Sequence, residues 1–79
     1  MATKAQHAFR YRILPELLKV MREQAGLTQR ALGKRMGKPQ SWVHNCETAN
    51  RRVDLAEFVA WCQTCGISPQ EGMKRFLKS

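Results

Sequence analysis

Apolar residues in this chain recur every three or four positions, and each long run breaks off at a glycine. Leu14, Leu17, Leu18, Met21 and Ala25 share one helical face that ends at Gly26. Thr28 offers an N-cap oxygen to a short second helix, Gln29–Met36, which Gly37 stops. Pro39 opens a third helix reaching about Glu47, with Val43 and Cys46 on a common face. Residues 48–53 are polar and basic and read as a loop. Asp54 caps a fourth helix that gathers Leu55, Phe58, Val59, Cys62 and Cys65 before Gly66. Ser68 and Pro69 start a fifth, with Met73, Phe76 and Leu77 as its stripe. No segment alternates apolar and polar residues as a half-buried strand does. The pattern predicts an all-α bundle of five short helices.

Pro15 lacks an amide donor, so the regular part of the first helix is expected to begin near Leu14. That leaves residues 1–9, which carry Lys4 and His7, as a flexible basic N-terminal arm, and 10–79 as a single domain. A chain of 79 residues has material for one core at most. No apolar run approaches the ~18 residues of a membrane span, and no signal-peptide stretch follows the start. A cytoplasmic, nucleoid-associated location is expected.

Fourteen Lys and Arg oppose six Asp and Glu, for a net charge of +8. Such an excess points to a polyanionic partner, because each neutralised phosphate releases condensed counterions. A face kept basic for solubility, or a membrane surface, would account for charge alone. Its distribution discriminates better: Arg30, Lys34, Arg35, Lys38, Arg51 and Arg52 crowd the middle third, opposed there only by Glu47. Three cysteines, Cys46, Cys62 and Cys65, are an odd count with no export signal, so no disulfide framework is expected.

The informative stretch is residues 29–46. Two short helices meet at Gly37, where a tight turn needs a residue that accepts positive φ. Gly33, one turn earlier, leaves room for the third helix to cross closely. Leu32, Met36, Val43 and Cys46 can bury the inner faces. Gln40, Ser41, His44 and Asn45 then remain outside on the third helix, all able to hydrogen-bond base edges in a major groove.

Gly26-Leu27-Thr28-Gln29, Leu32, Gly37, Gln40-Ser41, Val43 and Glu47 come in an order that resembles the Cro/repressor-type (XRE-like) helix-turn-helix family. The entry Arg51-Arg52-Val53-Asp54 and the exit Cys65-Gly66-Ile67-Ser68 also fit, so the resemblance spans residues 11–77. It implies a five-helix, lambda-repressor-like bundle that binds double-stranded DNA as a transcriptional regulator, a repressor acting as a dimer on a palindromic operator. By the same resemblance Gln40, Ser41, His44 and Asn45 read bases. Thr28, Gln29, Arg30, Lys38, Trp42, Arg51 and Arg52 lie where the family meets phosphates or the minor groove. Arg22 and Glu47 resemble an ion pair tying the first helix to the end of the recognition helix. Lys38, Trp42, Asn45 and Cys46 depart from the usual residues, which bears on the target sequence. Trp42 has two readings, packing on the scaffold or reaching a thymine methyl.

Other readings of the same residues stay open. Cys62 and Cys65 form a lone CxxC that could hold a metal with His44 or His7, or act as a thiol redox sensor, yet both fall where small core residues belong. Trp61 belongs to a core or a dimer interface. An antitoxin-type role toward a toxin partner is the second class of function; exposed apolar surface near Trp61 or Phe76 would favour it. No Ser-His-Asp set or phosphate-binding glycine loop is present, so neither enzymatic activity nor a cofactor is expected.

Overall fold

The computed structural model describes the backbone of residues 4–78 and the side chains of residues 11–78. Five helices follow in order: α1 (Lys4–Gln24), α2 (Gln29–Met36), α3 (Gln40–Glu47), α4 (Leu55–Thr64) and α5 (Pro69–Lys78). Among the described residues there is no strand, and the all-α expectation holds.

The first helix differs from expectation. It begins at Lys4, well before Leu14, and runs through Pro15. Residues 4–9, expected in a flexible arm, therefore belong to α1, and residues 1–3 lie outside the described residues. A mid-helix proline removes one backbone bond and crowds the carbonyl four residues back, at a cost of about 3 kcal/mol. Tertiary contact offsets part of it. Pro15 is itself buried, and Tyr11, a turn earlier, lies partly buried under the Arg52 guanidinium, 4.5 Å from ring centroid to Cζ. Such a contact is worth roughly 0.5–1 kcal/mol at an exposed site and more when desolvated.

Local chemistry accounts for the remaining boundaries. Thr28 Oγ1 accepts from Ala31 N at 3.0 Å, and Ser68 Oγ accepts from Glu71 N at 3.1 Å. Pro39 sits one residue outside α3, at its N-cap, rather than as its first residue. Asp54 and Glu57 form a reciprocal capping box at the start of α4.

The core is built from Leu17, Leu18 and Met21 of α1, Leu32 of α2, Val43 and Cys46 of α3, and Phe58, Trp61 and Cys62 of α4. Trp61 is fully buried and donates its indole N–H to the Leu18 carbonyl at 3.1 Å. It is thus a core residue with its one polar atom satisfied, and it contributes no exposed patch.

The end of α3 stores a small strain. Ala49 has φ 65°, the left-handed region, while Asn50 N donates to Asn45 O at 2.9 Å. This six-residue closure places a side chain where helices usually put glycine. Ala49→Gly is accordingly expected to stabilise the protein by about 0.5–1 kcal/mol, because relief of the Cβ clash exceeds the added freedom of the unfolded chain. Urea unfolding midpoints measure this directly, and a lower midpoint for the variant would show that the turn carries no strain.

Candidate nucleic-acid interface

Two helices and one turn build the interface. α2 ends at Gly37, whose φ of 70° lets the chain reverse within three residues. Lys38 N then donates back to Gly33 O at 2.8 Å, so the turn is tied to the helix it leaves. Gly33 lies under that turn: a β-carbon there would meet the Lys38 carbonyl at 2.6 Å and Val43 Cγ2 at 3.3 Å. The close crossing of α2 and α3 exists because position 33 has no side chain.

α3 buries Val43, Cys46 and Glu47 and leaves Gln40, Ser41 and His44 exposed, with Asn45 half-buried. Gln40, Ser41, His44 and Asn45 are thus on the accessible part of α3. Thr28, Arg30, Lys34, Arg35, Lys38 and Arg52 are exposed on the flanking elements.

Behind Gln40 runs a chain of hydrogen bonds. Arg22 and Glu47, both 8% exposed, form a bidentate pair, Nε to Oε2 at 2.6 Å and Nη2 to Oε1 at 3.0 Å. Arg22 Nη1 also donates to Leu27 O at 2.8 Å. The hydrogen bonding that Arg22 donates to Glu47 is the main cause that raises the guanidinium pKa above its ordinary value. Glu47 Oε1 also accepts from Gln29 Nε2 at 3.0 Å, and Gln29 Oε1 accepts from Gln40 Nε2 at 2.7 Å. The buried ion pair therefore orients Gln29, and Gln29 orients Gln40. Gln40 keeps its carbonyl oxygen and one amide hydrogen, the pair of groups that adenine N6 and N7 require.

Trp42 packs on the scaffold. Its ring lies 6.0 Å from that of Trp61, with Lys38 Nζ 5.2 Å and Arg51 Cζ 5.1 Å from its centroid. Its Nε1 is buried without a partner, so it offers no donor to a groove. The reading of Trp42 as a contact with DNA gives way to one in which its ring carries two cations.

Arg51 and Arg52, adjacent in sequence, fare differently. The Arg51 guanidinium forks onto Glu57, Nη1 to Oε1 and Nη2 to Oε2 both at 3.0 Å, and Nη1 also donates to Arg52 O at 2.7 Å. Three donor contacts are therefore occupied within the protein, and Arg51 is not the free phosphate-seeking cation expected. That fork is the largest cause holding the Glu57 carboxyl below the usual carboxylate range. Arg52 instead lies over the Tyr11 ring, its Cζ 4.5 Å from the centroid, and the residue remains exposed.

Glu57 and Tyr11 were missed as parts of this region. Asp54-x-x-Glu57 is a capping-box signature that could have drawn attention to Glu57. No sequence signal points from Tyr11 to Arg52.

The cysteines sit in the core, all buried and unpaired. Burial pushes the Cys65 thiol up to about 11, with the Cys62 thiol beside it adding to the effect. Burial likewise raises the Cys62 thiol. Little of the reactive thiolate exists near neutral pH in such a setting.

Comparison with known proteins agrees with this geometry. A family model described as a helix-turn-helix domain matches residues 14–73. The chain is also similar to the solved structure of an XRE-family like protein from Pseudomonas syringae pv. tomato str. DC3000. The two are 39% identical, with a TM-score of 0.87 over 95% of this chain and 92% of that one. The chain belongs to the XRE-like helix-turn-helix family. No curated protein matches it. The XRE-like fold and the helix-turn-helix domain make this chain a DNA-binding regulator. Among its described residues no helix is long and apolar enough to cross a membrane.

Proposed function

We propose that this XRE-like protein represses transcription from the cytoplasm by binding a palindromic DNA operator as a dimer, without catalysing a reaction. The observation that carries the reading is the exposed edge of α3, with Gln40 held by Gln29 and Glu47 and cations on both flanks. α3 enters the major groove, where Gln40, Ser41, His44 and Asn45 meet base edges. Thr28 and Arg30 at the start of α2, Lys38 at the turn and Arg52 after α3 hold the two phosphate backbones. Gln29 adds the positive end of the α2 dipole to its bond with Gln40.

One recognition helix spans only a few base pairs, so a second copy is needed for a longer site. An apolar groove between α4 and α5 supports that part of the reading. Leu55 and Leu77, the exposed large hydrophobic residues among those described, flank it, and Phe58, Val59, Pro69 and Met73 lie between them. A neighbouring recess, lined by Leu14, Val53, Leu55, Phe58, Met73 and Phe76, favours the second reading, a protein partner of the toxin class, since apolar surface lies at Phe76 though not at Trp61.

Selection of binding sites from random duplexes tests the proposal. An inverted repeat supports a dimer reading DNA sequence; enrichment of no sequence, with salt-sensitive binding to all, sinks it and favours the protein-partner reading. On the selected site, Gln40→Ala is expected to cost roughly 1–3 kcal/mol and to relax preference at one base position. Arg52→Ala should weaken all duplexes alike and reduce the salt slope by about one unit. Equal losses on every sequence for both variants would undo the division of roles.

A further inference from the structure

Glu57 stands outside the set of residues that read DNA, yet it determines what its neighbour Arg51 can do. Its Oε1 accepts from Asp54 N at 3.0 Å, which fixes the carboxylate at the first turn of α4. From there both oxygens meet the Arg51 fork at 3.0 Å, while the ring of Trp42 lies 5.1 Å from Arg51 Cζ. Arg51 also donates to the Arg52 carbonyl at 2.7 Å, and its own backbone N–H is held by Asn45 O at 3.1 Å. A guanidinium at the exit of the recognition helix is thereby turned toward α4. A phosphate approaching the same loop meets a fork already filled by a carboxylate, and a negative charge beside it.

We propose that Glu57 is a positioning residue that withholds Arg51 from DNA phosphate and so limits the sequence-independent part of binding. The inference rests on the DNA-binding reading above. Its logic is that of counterion release. Each additional phosphate contact steepens the fall of log K with log salt by about 0.9 and adds affinity without adding sequence information. An occupied Arg51 leaves discrimination to Gln40 and its neighbours while lowering attraction to duplex of any sequence.

Glu57→Gln separates this role from a structural one. Glutamine keeps an oxygen for Asp54 N, so the cap survives, but it cannot accept both arms of the Arg51 fork and carries no charge. Binding of the full chain to a random-sequence duplex would be measured from 50 to 200 mM salt. Glu71→Gln serves as the charge-matched comparison, since Glu71 pairs with Arg75 at 3.0 Å on α5. The expected result is tighter binding by E57Q with a slope steeper by about one unit. Its advantage over the unaltered protein then widens about 3.5-fold as salt falls across that range. The double variant Arg51→Ala with Glu57→Gln should lose the added slope. An unchanged slope for E57Q, or an equal change for E71Q, overturns the proposal while leaving DNA binding intact. Failure of the unaltered protein to bind any duplex would remove the DNA reading and this inference together.

Discussion

Replacing Glu47 by alanine is expected to cost about 3–5 kcal/mol of stability, the loss typical of orphaning one partner of a buried ion pair. Arg22, 8% exposed in the native fold, would lose carboxylate oxygens at 2.6 and 3.0 Å and keep only the Leu27 carbonyl. Gln29 would lose its acceptor as well. Domains of ordinary stability unfold with about 5–15 kcal/mol, and a small chain sits toward the low end, so the variant would stay near its unfolding transition at room temperature. Urea titration followed by circular dichroism measures the effect. Because Gln40 is positioned through Gln29, duplex affinity of the folded fraction should also fall. Substituting both partners, Arg22→Met with Glu47→Leu, should recover much of the stability but not the affinity, since apolar replacements restore packing without orienting Gln29. A loss below about 1 kcal/mol for Glu47→Ala would equate this pair with a surface salt bridge and refute the argument.

The second large effect is expected at Gly33. Alanine is favoured over glycine inside a helix by about 1 kcal/mol, so propensity alone predicts stabilisation. Geometry predicts the reverse. The new β-carbon would lie 2.6 Å from the Lys38 carbonyl oxygen, a backbone atom in a turn tied to Gly33 O by a 2.8 Å bond. The turn cannot yield without moving the start of α3. Overpacking of this kind costs roughly 1–3 kcal/mol, and here it opposes the propensity gain. Gly33→Ala should therefore lower the urea midpoint, and it should shift Gln40 off its 2.7 Å bond to Gln29. Duplex affinity is expected to fall by more than the change in folded fraction explains. A variant as stable as the parent, with unchanged affinity, would mean that the turn yields freely.

These two positions differ in how far they could be read in advance. The need for a residue without a side chain at position 33 followed from two short helices meeting at Gly37. Helix limits at Gln29–Met36, and those of α4 and α5, were equally legible, because Thr28, Asp54 and Ser68 cap through bonds to residues three positions on, while Pro39 marked the start of α3 to within one residue. The Arg22–Glu47 pair came from the resemblance to a family and not from spacing, since any of the basic side chains could have reached Glu47. Sequence reasoning failed at Pro15, where a local rule ended the helix that the structure continues. It also failed to distinguish Arg51 from Arg52, neighbours of the same type in one basic loop.

By itself the sequence determined where α2 to α5 begin and end, which of their faces turn inward, and that α3 presents Gln40, Ser41 and His44 outward. Those outcomes depend on interactions within about four residues, whose spacing the chain writes directly. Only tertiary structure decided that α1 persists through a proline, that Trp42 joins Trp61 instead of facing a groove, and that Arg51 belongs to Glu57 while Arg52 stacks on Tyr11. Each of those outcomes depends on contacts between different elements of the chain. Their distances are set only once the helices pack, and sequence separation does not carry them.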